Sequence, residues 1–249
     1  MNLRSLADTL DVVEHVDGWM SPDQGARLYA AAARVPPGRQ IVEIGSFRGR
    51  STIVLASAAR DGVTVIAIDP HAGNDRGPNE ISGFADEAAG DHEVFLANLA
   101  AAGVTDRVRH VRELSDAAHD AVEGDVALLY IDGAHRYAPA RADIRDWGAR
   151  VAPGGTMLIH DSFSSVGVTL AILRELVWSG RFRYVGRSRS LAEYRADLQP
   201  GLRARLVNAL RQLGQLPWFA KNLTVKLLLT LRLGSVLRRL THRDIEWPY

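Results

Sequence analysis

The fold is decided by the stretch Leu128-Leu129-Tyr130-Ile131-Asp132-Gly133-Ala134-His135, an apolar run that ends in a carboxylate with an imidazole close behind. A second run of the same kind follows it, Met157-Leu158-Ile159-His160-Asp161. Such runs are typical of interior strands of a parallel sheet, which are covered on both faces. Residues just past the carboxyl ends of these strands line the ligand crevice. The two runs therefore predict an enzyme site at one edge of an α/β sheet.

Strands and helices alternate along the rest of the chain. We expect strands at residues 40–44, 63–68, 108–111, 126–131, 156–159, 182–185 and 191–195. The last two are predicted to form a closing antiparallel hairpin, whereas helical segments separate the others. This alternation indicates an α/β fold with a doubly wound, Rossmann-like sheet of seven strands.

Composition divides the chain into three parts. Residues 1–36 are predicted to form an N-terminal helical cap, residues 37–197 the α/β domain, and residues 198–249 a basic helical extension. Between Leu198 and Arg243 the extension has nine basic residues and no acidic one, although the net charge of the whole chain is +1. Either its apolar face docks on the body or on a second subunit, or it attaches peripherally to anionic lipid. We favour docking, and the apolar helices at both ends favour a homodimer.

Several classes of protein are excluded by composition. The chain has no cysteine, so disulfides and zinc–thiolate sites are ruled out, which fits a cytoplasmic protein. The first twenty residues carry four carboxylates and lack the apolar core of a signal peptide. No run of about 18 uncharged apolar residues predicts a spanning helix. The basic residues of the extension are not interleaved with aromatic ones, so we expect no nucleic-acid partner.

The first predicted strand runs into a turn with two glycines, Glu43-Ile44-Gly45-Ser46-Phe47-Arg48-Gly49-Arg50-Ser51. Glycines let the backbone approach a ligand, and the helix that follows offers free N–H groups to an anion. The turn is not the Gly-x-Gly-x-x-Gly fingerprint of dinucleotide sites, and its spacing suits a carboxylate better than a pyrophosphate. Asp69 ends the second strand, where its carboxylate can accept both hydroxyls of a ribose.

These segments together resemble the class I S-adenosylmethionine-dependent methyltransferases, over about residues 37–195. The carriers of the resemblance are the Glu-x-Gly turn, Asp69, the strand end at residues 131–135 and the segment 153–161. More narrowly, the chain resembles the metal-dependent sugar O-methyltransferases, a branch that includes macrolide-sugar enzymes and the cephalosporin-biosynthesis protein. Within that branch, residues 69–75 and the chain length look most like the mycobacterial enzymes that methylate mannose polysaccharides.

The resemblance implies a role for each residue of the cofactor half of the site. Glu43 and Gly45 would line the methionine end of S-adenosylmethionine, and Ser51 would meet its carboxylate. Asp69 would hold the ribose, and Ser115 would lie beside the adenine. The alternatives are a plain strand-end charge for Glu43 and an ordinary helix cap for Ser51.

A divalent cation is expected at the other half of the site. Asp132 and Asp161 follow neighbouring strands, so both carboxylates could reach one ion, and hard oxygen ligands favour Mg²⁺. The family's third ligand is a carboxylate just before the second aspartate, but this chain has His160 there. Because imidazole is a poor Mg²⁺ ligand, water completes the shell or another divalent metal is preferred. Alternatively, His160 is a strand-end histidine with no ligand role.

The resemblance makes His135 the general base that takes the proton from a sugar hydroxyl; the alternative is a simple helix cap. It also points to a methylated mannose oligosaccharide as the acceptor. A polar, glycine-rich loop at residues 72–90 follows the second strand, and a long loop there is predicted to act as a lid that selects the acceptor.

Two rival functions remain open on the sequence. Two histidines and two carboxylates, His135, His160, Asp132 and Asp161, could bind Fe(II) and support hydroxylation, as in the related cephalosporin-biosynthesis type. Glu43 and Asp69 oppose this reading, because a hydroxylase needs no adenosyl pocket. The other rival is a non-enzymatic protein that binds a membrane peripherally through the extension.

Overall fold

The computed structural model describes residues 4–73, 85–197, 199 and 201–230. The strands are β1 (Gln40–Ile44), β2 (Thr64–Ile68), β3 (Val108–Val111), β4 (Val126–Ile131), β5 (Val151–Ile159), β6 (Arg183–Ser188) and β7 (Leu191–Arg195). The helices are α1 (Leu6–Glu14), α2 (Pro22–Ala32), α3 (Arg50–Ala58), α4 (Ala85–Ala101), α5 (Tyr137–Ala142), α6 (Val166–Glu175), α7 (Leu202–Leu213) and α8 (Leu216–Thr230).

The predicted seven-stranded sheet is confirmed, with the strand order β3-β2-β1-β4-β5-β7-β6. The first five strands pair in parallel, and β7 pairs antiparallel with both β5 and β6. The chain order reverses between β1 and β4, which places the ligand crevice of an open α/β sheet at their carboxyl ends. One apolar cluster fills each face of the sheet, and Tyr130 and Trp147, at 1% exposure each, belong to opposite clusters.

The helix predicted after β4, over residues 137–150, is present but contains a π-helical turn. The structure is helical over residues 137–149, in which α5 ends at Ala142 and the π-helical turn Asp143–Trp147 follows it. The wider turn lets two buried side chains reach the same residue: Asp143 accepts a hydrogen bond from the Ser115 hydroxyl, and Trp147 donates one to the Ser115 carbonyl. Such π-turns often occur at functional sites.

In the C-terminal extension, α7 packs on the body through polar side chains, whereas α8 packs Trp218 and Phe219 against the apolar core. Asn208 accepts a hydrogen bond from the Tyr184 N–H and donates one to the Phe182 carbonyl. Gln212 donates to the Leu176 carbonyl. In the described residues the extension is therefore docked, as expected, but not by its leucines. The three-part division of the chain stays a prediction. Of the lid predicted at residues 72–90, residues 74–84 lie outside the described residues, and residues 85–90 form the start of α4 instead of a loop.

The close approach of β1 and β4 depends on Gly45. Its φ of +85° lies in the left-handed region, and a Cβ there would be 2.2 Å from the backbone oxygen of Asp132. No side chain fits that space, so only glycine allows the two strand ends to meet. Gly154, by contrast, has a φ of +75°, and a Cβ at that position would point into open space.

We expect Gly45→Ala to lower the free energy of unfolding by several kcal/mol. The left-handed backbone alone costs about 1–2 kcal/mol for a residue with a Cβ, and the collision with Asp132 adds to it. Urea unfolding measures the change. The matched control is Gly154→Ala, which has the backbone cost without the collision, and equal losses in the two variants would contradict the packing argument.

Candidate active site

A cavity of about 420 Å³ opens at the carboxyl ends of β1, β2 and β4. One end is lined by residues 17–20 with Phe47 and Arg50, and the other by Leu114, Ser115 and Trp147. Its carboxylates are more numerous than its cations: the acidic lining residues are Asp17, Asp69, Asp91, Asp116, Asp132, Asp143 and Asp146. The volume is in the range of small-molecule sites. Six of the predicted site residues line it: Gly45, Ser51, Asp69, Ser115, Asp132 and His135.

Asp69 holds the turn after β1 in place. Its Oδ2 accepts the backbone N–H groups of Ser46 at 2.9 Å and Phe47 at 2.8 Å. Its Oδ1 accepts the backbone N–H of His71 at 2.8 Å. The carboxylate is therefore fixed at the wall of the cavity before any ligand arrives, with further lone pairs available for hydroxyl groups.

Glu43 is placed differently from the expectation. It is not among the residues that line the cavity but is fully buried behind them, and accepts hydrogen bonds from the Ser51 and Thr52 hydroxyls at the start of α3. Burial raises the pKa of Glu43 to about 8, although the two hydroxyls oppose the shift. The Ser51 hydroxyl donates its hydrogen bond to Glu43, so its role in this structure is to hold the start of α3 in place.

The far end of the cavity combines a carboxyl group with aromatic side chains. The Ser115 hydroxyl donates to Asp143 at 2.6 Å, and burial raises the pKa of Asp143 to about 6. The rings of His119 and Trp147 stack with centroids 4.4 Å apart. This end therefore offers a flat apolar wall and hydrogen-bond acceptors, which suits a heteroaromatic ring such as adenine.

The two strand ends that carry an aspartate and a histidine form two crossed charge contacts. His135 Nε2 lies 2.9 Å from Asp161 Oδ2, and His160 Nδ1 lies 3.1 Å from Asp132 Oδ1. The other oxygen of Asp132 accepts a hydrogen bond from the Tyr130 hydroxyl at 2.8 Å. Only Asp132 and His135 line the cavity, whereas His160 and Asp161 lie behind them. The structure thus brings the four predicted residues together, with Asp132 and His135 at the cavity wall and His160 and Asp161 behind it.

Burial and charge act in opposite directions on this cluster. Burial lowers the pKa of His135, but its contact with Asp161 outweighs that effect and the pKa is raised. Burial likewise opposes protonation of His160, yet the charge of Asp132 raises its pKa well above the usual range. Although burial would raise the pKa of Asp161, the two histidines hold it well below its ordinary value.

The arrangement does not fit the expected divalent cation. The carboxylate oxygens of Asp132 are taken by His160 and Tyr130, and Asp161 Oδ2 lies within 3.8 Å of His160 Nδ1 as well as close to His135. Among residues 4–73, 85–197 and 201–230, no group of three histidines or carboxylates has a geometry that could hold a metal ion. The same finding applies to the Fe(II) alternative, since no such group occurs in the described residues.

Two groups at the cavity were missed from the sequence. Arg50 begins α3 and donates to the carbonyls of Val16 and Gly18, which ties the N-terminal segment to the cavity. A cation in the first turn of a helix is unfavourable because of the helix dipole. The position of Arg50 at the predicted start of α3 could therefore have indicated a functional residue. The second group is Trp19, 52% exposed, whose ring lies 5.3 Å from that of Phe47.

A comparison with protein families matches residues 42–162, just under half of the chain, to a family described as a methyltransferase domain. A curated relative, the uncharacterized protein y4gI of Sinorhizobium fredii, is 28% identical over 127 residues. That match covers 50% of this chain and 13% of y4gI, so this chain spans only a small part of the relative's length.

Solved structures share the fold. Cofactor-bound Rv0187 from MTB is similar with a TM-score of 0.52 and 20% identity, over 77% of this chain and 88% of that one. The O-methyltransferase NovP is similar with a TM-score of 0.55 and 17% identity, over 72% of this chain and 83% of that one. At these identities the likeness concerns the fold.

We expect Glu43→Gln to gain stability relative to the wild type as the pH rises from 5 to 8. An unfolded glutamate ionises near pH 4.3, whereas the folded pKa is about 8. In that window the unfolded state binds fewer protons than the folded state, so wild-type stability falls by at most about 1.4 kcal/mol per pH unit. Glutamine has no proton to release.

Urea unfolding at pH 5, 6, 7 and 8 measures the difference between the two proteins. The control is Glu123→Gln, which replaces an exposed carboxylate. A pH trend of the same size in that control would show that the effect is not specific to the buried carboxyl group.

Proposed function

We propose that residues 42–162, which match the methyltransferase-domain family, form a class I S-adenosylmethionine-dependent methyltransferase that methylates a hydroxyl oxygen with His135 as the general base. The observation that carries the proposal is the 2.9 Å contact of His135 Nε2, at the wall of the cavity, with Oδ2 of the half-buried Asp161. A histidine oriented by a carboxylate beside a cofactor pocket is suited to take a proton from a hydroxyl.

S-adenosylmethionine would lie along the cavity. The stacked wall beside Ser115 suits the adenine, and Asp69 suits the ribose hydroxyls. Arg50 lines the opposite end and is the cation available to the methionine carboxylate, a role that the sequence assigned to Ser51. Glu43 contributes indirectly, because it holds Ser51 and the start of α3 in place.

The proton transfer divides the work between the two nitrogens of His135. Asp161 contacts Nε2, which favours the tautomer with its proton on Nε2 and leaves Nδ1 as the acceptor. Bound S-adenosylmethionine would supply the methyl group, and Nδ1 of His135 would take the proton of the acceptor hydroxyl, so that the products would be a methyl ether and S-adenosylhomocysteine. The chemistry needs the oxygen, methyl carbon and sulfur in line, so positioning supplies much of the rate.

A sugar, in particular a methylated mannose oligosaccharide, is the acceptor class that we propose. Trp19 presents an exposed ring at the mouth of the cavity, and aromatic faces pack well against the apolar face of a sugar ring. The carboxylates along the lining can accept hydrogen bonds from its hydroxyl groups.

We expect His135→Gln to lower kcat by about 10²–10⁴-fold, because the substitution removes the base but keeps the size of the side chain. Turnover with S-adenosylmethionine and a mannose oligosaccharide measures the loss. Calorimetry with S-adenosylhomocysteine should show unchanged affinity. His15→Gln, at an exposed position, is the control. Unchanged kcat in the His135 variant would contradict its role as the base.

We expect EDTA-treated protein to keep its turnover. His160 and His135 lie beside Asp132 and Asp161, so a cation would have to compete with an imidazole for each carboxylate. Turnover measured after EDTA, and again with added Mg²⁺, tests this. Loss of activity that Mg²⁺ restores would instead support the metal-assisted mechanism expected from the sequence.

A further inference from the structure

Helix α7 packs with its polar side inward. The residues that it buries are Asn208, Ala209 and Gln212, of which two make hydrogen bonds to the body. Its leucines instead face outward: Leu202 is 70% exposed and Leu210 is 67% exposed. We use the term leucine stripe for the outward residues at helical spacing, Leu202, Leu206, Leu210 and Leu213. An apolar stripe of this kind on a water-soluble helix indicates a binding surface.

Basic residues flank the leucine stripe. At 100° per residue, Arg203 and Arg205 lie on either side of it, and both are exposed. No acidic residue occurs on α7 or α8, or anywhere between Leu198 and Arg243. A narrow apolar face between arginines is the pattern of helices that lie in the interface of an anionic membrane.

An exposed tryptophan lies in the segment that α7 packs against. Gln212 bonds to Leu176, and the guanidinium of Arg205 lies so close to Gly180 that a Cβ there would be 2.3 Å from Nη2. Between these two contacts, Trp178 is 60% exposed. Tryptophan is enriched at membrane–water interfaces, because its ring is apolar and its N–H remains hydrated.

A second copy of the chain is a poorer occupant for this surface. Two copies joined through their leucine stripes would bring Arg203 and Arg205 of both into one interface without a compensating carboxylate on α7 or α8. An anionic membrane can bury the leucines among its acyl chains and bind the arginines through its phosphate groups. We therefore propose that the leucine stripe of α7, with its flanking arginines, binds the enzyme peripherally to anionic lipid, a property beyond methyl transfer.

Such attachment needs no spanning segment. No helix in the described part of the chain is long and apolar enough to cross a membrane. The stripe would enter the boundary between headgroups and acyl chains while the arginines contact lipid phosphates.

The test is co-sedimentation of the full chain with vesicles. We expect binding to phosphatidylcholine vesicles that contain about 30% phosphatidylglycerol, weaker binding at high salt, and little binding to phosphatidylcholine alone. Leu206→Ser with Leu210→Ser should lower the partition coefficient about tenfold or more, because two leucines no longer enter the lipid. Arg203→Glu with Arg205→Glu should lower it for the anionic vesicles.

The matched control carries Val94→Ser with Leu96→Ser, two exposed positions on α4, and should bind as the wild type does. Thermal unfolding verifies that each variant is folded. Sedimentation velocity without lipid tests whether a second copy of the chain occupies the leucine stripe instead. A dimer that dissociates in the Leu206 and Leu210 variant would overturn the proposal. Absence of binding to anionic vesicles, or equal binding by the leucine variant, would overturn it too.

Discussion

The contact between the ends of β1 and β4 is the constraint on which the rest of the site depends. Because Gly45 has no side chain, the Asp132 carbonyl can lie where a Cβ would otherwise be. Two segments therefore line the same cavity. One is the turn after β1, which hydrogen-bonds to Asp69, and the other is the end of β4 with Asp132 and His135. The groups proposed for the cofactor and those proposed for the acceptor thereby share one wall.

The cluster of Asp132, His135, His160 and Asp161 is held together by contacts between opposite charges. His160, which is buried, lies beside Asp132, and the half-buried Asp161 lies beside His135, so that each charge has an opposite neighbour. A charge that is partly shielded from water is costly without a partner, which favours the pairing of the four side chains. Asp161 also has a left-handed backbone with a φ of +54°, a strained state that such sites tolerate when the surroundings enforce it.

Periodicity predicted the sheet well. β1, β3, β4 and β7 begin and end where the pattern of apolar residues indicated, because a strand inside a covered sheet has little freedom in composition. The π-helical turn after α5 was missed, since one extra residue per turn leaves no mark in a helical pattern. Six of the nine predicted site residues line one cavity, whereas Glu43, His160 and Asp161 do not, and the role of each stays a prediction.

The layering of the site residues at the cavity wall escaped prediction because it depends on side-chain direction. Glu43 and Ser51 flank the turn after β1 in the sequence. In the structure Ser51 lines the cavity, whereas Glu43 lies behind Ser51 and accepts its hydrogen bond. His160 and Asp161 likewise follow a strand whose last residues turn behind the cavity wall. Polar packing of α7 was equally hidden, because its leucines gave the stronger pattern and predicted the opposite face.

The acidic lining of the cavity has a consequence for turnover. The sulfonium of S-adenosylmethionine carries a positive charge, and transfer of the methyl group leaves a neutral thioether. Under the proposed function, a cavity rich in aspartates would therefore attract the reactant form of the cofactor more strongly than the spent form. Methyl transfer would remove a charge that helps to hold the ligand, which would favour release of the spent cofactor.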